Sequence, residues 1–146
     1  MRKKKIILIM LTVTIISGGW YGYSEYNRKP IDLSISKADL QLSTSELISS
    51  FENNVQESNK KYLDKILAVS GVVKSVEKND QGFYFVVLSE RGNMSSVRCS
   101  MDETHQQAAV LLTENTQVTI KGVCTGFNSD ELLGSDVILN RCVVMK

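Results

Sequence analysis

Four basic residues, Arg2-Lys3-Lys4-Lys5, stand before a run of 18 residues without a charge, Ile6 to Tyr23, and nothing else narrows the fold as much. At about 1.5 Å of rise per helical residue that run covers roughly 27 Å, close to a hydrocarbon core of about 30 Å. A basic end and an apolar run also describe a signal peptide, so the choice turns on the residues that close the run. A cleavage site asks for small residues, whereas this run ends in Trp20, Tyr21 and Tyr23, which suit the headgroup belt of a bilayer. No Cys lies near the run, which sets lipidation aside. The expectation is an uncleaved, single-pass signal anchor over residues 6–23, with residues 1–5 as a basic cytoplasmic end. The remainder then lies on the outer, periplasmic side of a bacterial inner membrane, because the four early positive charges outweigh Arg28 and Lys29.

Composition matters mainly through its asymmetry. Six of the 17 Lys and Arg residues, but one of the 16 Asp and Glu, fall within residues 1–30, leaving 11 basic against 15 acidic side chains beyond them. The part expected outside the membrane is therefore net acidic, and 42% hydrophobic content over 146 residues suits one folded domain rather than a disordered chain. Residues 24–42 read as a polar juxtamembrane linker holding the only proline, Pro30, with a weak alternation at Ile31, Leu33 and Ile35 that admits a short piece of strand.

From residue 43 the periods become legible. Ser43-Thr44-Ser45-Glu46 is a capping box, and Leu47, Ile48, Phe51 and Val55 place an apolar stripe on one helix running to about Lys61. After Ile66 the spacing drops to two: Leu67, Val69, Gly71 and Val73 alternate as a strand, with a glycine where a rolled sheet bends. Lys78 to Gly82 is turn chemistry, Phe83 to Leu88 a second strand, Arg91-Gly92-Asn93 a turn and Ser95 to Met101 a third strand. Asp102 or Thr104 then caps a helix bearing Ala108, Ala109, Leu111 and Leu112. Gln117 to Cys124 and Asp136 to Val144 form strands four and five, joined by a long loop from Thr125 to Ser135. Three strands, a helix and two strands match a five-stranded Greek-key OB barrel; an open α+β sheet is the rival. The fold expected is mainly β with two helices, the barrel preceded by an amphipathic helix and an N-terminal transmembrane helix.

Asn59-Lys60-Lys61-Tyr62-Leu63-Asp64-Lys65, Val69-Ser70-Gly71-Val72-Val73, Val97-Arg98-Cys99, Lys121-Gly122-Val123-Cys124-Thr125-Gly126 and Cys142 together resemble the bacterial tRNA_anti-like family of OB-fold proteins. The resemblance spans about Leu40 to Val144. It implies the barrel, a leading helix and an N-terminal anchor; the lipid-bearing cysteine found in some members has no counterpart here. It implies no catalytic residues.

Candidate chemistry is sparse. Lys74, Arg98, Lys121 and Arg141 fall on strands, with Tyr84 and Phe127 as stacking faces, so Tyr84, Arg98, Lys121, Phe127 and Arg141 form the candidate ligand site, laid across strands two and three and the long loop. Four cations on four strands also describe a solvated barrel surface, and an acidic domain is a poor binder of phosphates. Cys99, Cys124 and Cys142 lie near strand ends. Strands three and five of an OB barrel run parallel side by side, which makes Cys99 with Cys142 the first pairing in an oxidising compartment; Cys124 with Cys142 needs the loop to curl, and three buried thiols are the plain alternative. His105, the only histidine, is expected to be solvated, and Asp102-Glu103 and Asp130-Glu131 read as capping and solubility. No metal-ligand spacing, phosphate loop or nucleophile elbow occurs, so neither catalysis nor a cofactor is expected. The expected function is a non-catalytic binding module facing outward, its partner an extended ligand or envelope protein; a single-stranded nucleic acid, or a thiol–disulfide or structural role, is the alternative.

Overall fold

The computed structural model describes residues 17–23, 26, 32–90, 92–130 and 134–145. The chain divides into two units, residues 1–31 and 32–146. In the first, residues 17–23 are helical and exposed. The anchor expected at residues 6–23 lies mostly outside the described residues, and among those described no helix is long and apolar enough to cross a membrane.

The second unit opens with a turn at residues 33–35 and a short strand, β1 (Leu40–Ser43), where only a linker with a doubtful strand was expected. Two helices follow, α1 (Thr44–Asn53) and α2 (Val55–Tyr62), then β2 (Ile66–Lys78), β3 (Tyr84–Ser89), β4 (Ser96–Met101), α3 (Gln106–Val110), β5 (Gln117–Asp130) and β6 (Gly134–Val144). The strands are ordered β1-β2-β3-β4-β6-β5, and β5 pairs back to β2. That last pairing closes five strands into a barrel and excludes the open sheet. β4 and β6 run parallel; β2–β3, β3–β4, β5–β6 and β2–β5 run antiparallel. β1 lies parallel to β2 at Leu67–Ser70, along the edge that β3, paired from Val72 onward, leaves uncovered.

The single helix expected over residues 44–61 is two. Asn54 sits in extended backbone between them, its N–H ending α1 on the Ser50 carbonyl and its side chain accepting from the Glu57 N–H to start α2. Ser43 caps α1 by accepting from the Glu46 N–H at 3.2 Å. Leu47, Ile48 and Phe51 of α1 enter the core with Tyr62 of α2, Leu67, Val69 and Val73 of β2, Val86 and Leu88 of β3 and Val97 of β4. Gly71 is the glycine foreseen in β2. A side chain there would run into Thr44, whose hydroxyl donates to the Ser70 carbonyl, so the missing Cβ lets the start of α1 sit directly on the strand.

The long loop expected over Thr125–Ser135 is instead a hairpin: β5 continues to Asp130 and β6 begins at Gly134. The register shift at Cys124/Gly126 adds a residue to β5 and breaks its alternation, which is why its second half does not read as strand. Gly134, at φ +91, has the backbone of Met94 within 2.7 Å of where a Cβ would stand, so this hairpin packs tightly on the β3–β4 connection.

Candidate outer-wall binding site

Alternation assigns the faces of the wall. Val86 and Leu88 of β3 and Val97, Cys99 and Met101 of β4 belong to the core, so Phe85 and Val87, and Arg98 and Ser100, take the opposite face of the sheet, where Val87 is nevertheless buried. Glu77 of β2 pairs with Phe85, Val87 with Arg98, and Arg98 with Ile138 of β6. Arg98 is half-exposed and reaches Glu77 at 3.8 Å. Because β3 lies between β2 and β4, that contact carries the guanidinium across the outer surface of β3. An exposed ion pair of this kind contributes at most about 1 kcal/mol, so a ligand can draw Arg98 away at little cost.

The five residues expected to form one site are dispersed. Arg98 alone stands on the outer wall of β3 and β4. Tyr84 packs against the core from β3, with the Lys78 ammonium 5.2 Å from its ring centre. Phe127 stacks on Phe51 of α1 with ring centres 5.0 Å apart, which commits it to the core side. Lys121 is buried, and its ammonium donates to the backbone carbonyls of Ser34 at 3.3 Å and Ser36 at 2.6 Å, where the chain leads into the domain. Arg141 lies at the irregular part of β6, at φ +56, among residues that pair with β5 rather than along β3. Tyr84, Lys121 and Phe127 therefore do not join a common binding face. The reason is geometric: a lysine, an aromatic and an arginine on different strands share a face only when their inward-outward phases agree, and bulges shift those phases.

Phe85 is the residue that the sequence pattern left unmarked. It is a half-buried aromatic near the start of β3, opposite Ser100 and diagonal to Arg98. The signal was present in the alternation of Tyr84, Val86 and Leu88, which puts Tyr84 inside and its neighbour outside.

The polar residues elsewhere serve the fold. Asp102 accepts from the N–H and hydroxyl of Thr104 at 3.0 and 2.6 Å, and His105, which N-caps α3, lies against both. Burial pushes the Asp102 carboxyl up, but those hydrogen bonds and His105 more than offset it and hold it below the usual carboxylate value. His105 is thus half-buried and bonded, not the solvated side chain expected. All three cysteines are buried thiols. Burial pushes Cys124 up to about 11, and burial with the adjoining Cys99 thiol raises Cys142 well above its ordinary value. Among the described residues no group of three or more His, Cys, Asp or Glu side chains gathers where a metal ion could be held.

A closed five-stranded barrel with a helix between its third and fourth strands and an outer wall at its second and third defines the protein as an OB-fold domain. The tRNA_anti-like family model matches residues 1–143, and the chain belongs to that family. A structure from Klebsiella pneumoniae subsp. pneumoniae MGH 78578, described as a "putative nucleic acid-binding lipoprotein", has the same fold: TM-score 0.60 at 16% identity, covering 76% of this chain and 100% of that one. An OBody, NL8, solved bound to hen egg-white lysozyme, is a more distant likeness at TM-score 0.42 and 16% identity, over 56% of this chain and 96% of its own. No curated protein matches the chain at a significant level.

Proposed function

We propose that this protein is a non-catalytic binding module, held in the inner membrane of a bacterium by its N-terminal apolar run and displaying its OB barrel on the outer side, where an extended ligand or an envelope protein lies along the wall of β3 and β4. The observation that carries the binding reading is an outward-phased aromatic, Phe85, opposite Ser100 and diagonal to a loosely engaged cation, Arg98, which pairs with Val87. An aromatic face and a mobile guanidinium are what an OB wall uses to hold an extended chain. The location rests on the four basic residues and the 18 uncharged positions after them. The test is a photoactivatable phenylalanine analogue placed at Phe85 in living cells, with the same analogue at the exposed Leu111 as control. Adducts at position 85 alone support the reading; adducts at both positions, or at neither, contradict it.

One observation favours single-stranded nucleic acid as the second reading: the Klebsiella neighbour is described as a nucleic acid binder, and Phe85 with Arg98 would supply one stacking face and one phosphate contact. Against it stands the acidic balance of residues 31–146, 11 basic against 15 acidic. A salt-sensitive shift of a labelled thymidine oligonucleotide, lost in Arg98→Ala, would move the assignment to this second reading.

A further inference from the structure

We infer that Cys99 and Cys142 form a disulfide site that closes while the exported chain is folding, leaving Cys124 as the thiol. The inference rests on the outward location proposed above, and it draws on an arrangement that location does not require. β4 and β6 are parallel neighbours; Cys99 pairs with Leu139 and Met101 with Cys142, and the register shift between those pairs brings both sulfurs to the interior. Both side chains are fully buried between the two strands, where the Cys99 thiol donates to the Val97 carbonyl at 3.9 Å. Gly122 on β5 presents only hydrogen beside the Cys142 sulfur, so no side chain from that strand crowds it. Cys124 is placed differently. It pairs with Leu139 from β5, across the β5–β6 side of the barrel rather than on the β4–β6 side.

Timing follows from burial. With α1 and α3 packed on the strands and both cysteines fully enclosed, no macromolecular oxidant reaches them in the folded barrel, and enclosure also holds Cys142 in its unreactive protonated form. The bond must therefore form before the strands close around it, on a chain that emerges unfolded from the membrane. The oxidant is a disulfide-bearing oxidoreductase of the outer compartment. The thiolate of one cysteine attacks the oxidant's disulfide and makes a mixed disulfide. The thiolate of the other displaces the oxidant, forming the Sγ–Sγ bond. Two electrons leave with the oxidant as its own pair of thiol groups, and the two cysteine protons are taken up in that exchange. The product ties β4 to β6 beneath Arg98, at the centre of the binding wall.

The experiment uses the full chain in its own cells. Thiols are trapped with acid, the protein is unfolded and alkylated before and after reduction, and peptides are read by mass spectrometry, while a parallel sample of intact spheroplasts is treated with external protease. The expected result is alkylation of Cys124 without reductant and of Cys99 and Cys142 only after it. Three alkylated cysteines in a domain that external protease removes would overturn the inference and leave the proposed location standing. A bridge involving Cys124 would overturn the pairing. Three alkylated cysteines in a protease-protected domain would overturn the location itself.

Discussion

Replacing Phe85 and replacing Tyr84 are expected to have opposite consequences, although the two aromatics are adjacent. Tyr84→Ala removes a ring packed on the core and should cost about 1–3 kcal/mol in chemical denaturation. Phe85→Ala should stay within about 1 kcal/mol while weakening whatever the wall holds. Equal destabilisation by the two would mean that the faces of β3 are assigned wrongly. At the same scale, Asp102 carries a pH dependence. Its carboxyl is held below its ordinary value when folded, so its stabilisation is present above about pH 4 and is lost as the pH falls through the depressed native value. Asp102→Asn should therefore flatten the acid limb of stability below about pH 4, by about 1 kcal/mol, and leave the neutral range with a uniform offset.

The contact between α1 and β2 turns on one missing side chain. Gly71→Ala drives a methyl into the Thr44 hydroxyl, which is buried and donates to the Ser70 carbonyl, so a cost of about 1–3 kcal/mol is expected. Thr44→Ala in the same chain vacates that space, and the double variant should be less destabilised than the sum of the single ones. Strict additivity in a double-mutant cycle would show that the helix does not rest there. Elements of this kind were legible in unequal degree. The alternation of Leu67, Val69 and Val73 and the cap at Ser43 state β2 and the start of α1 openly. The break at Asn54 was also readable, since Asn54 and Glu57 repeat the spacing of Ser43 and Glu46, but the apolar stripe running on to Val55 masked it. β1 was not readable: four residues paired in parallel with a strand 27 positions downstream leave no local period. The outer half of β5 disappeared for a related reason, because the bulge between Cys124 and Gly126 sets Phe127 out of phase with the first half. That phase error explains Phe127 alone; Lys121 keeps its outward phase and is buried by the segment at Ser34 and Ser36, and Tyr84 follows the regular alternation of β3.

Within the second unit, two parts of the barrel surface are covered differently. Where the chain enters the second unit, Leu33 is buried and Lys121 holds the Ser34 and Ser36 carbonyls. Lys121 sits in a row with Ala68 of β2 and Val143 of β6, all buried and outside the main core. The entering segment thus occupies the side made by β2, β5 and β6, while β3 and β4 carry Phe85 and Arg98. External protease added to intact spheroplasts tests the account of an outward-facing barrel most directly. It predicts loss of the barrel without lysis and a small fragment containing residues 6–23 retained in the membrane fraction; a barrel that survives until the membrane is broken, or a full-length chain free in the soluble fraction, would contradict it.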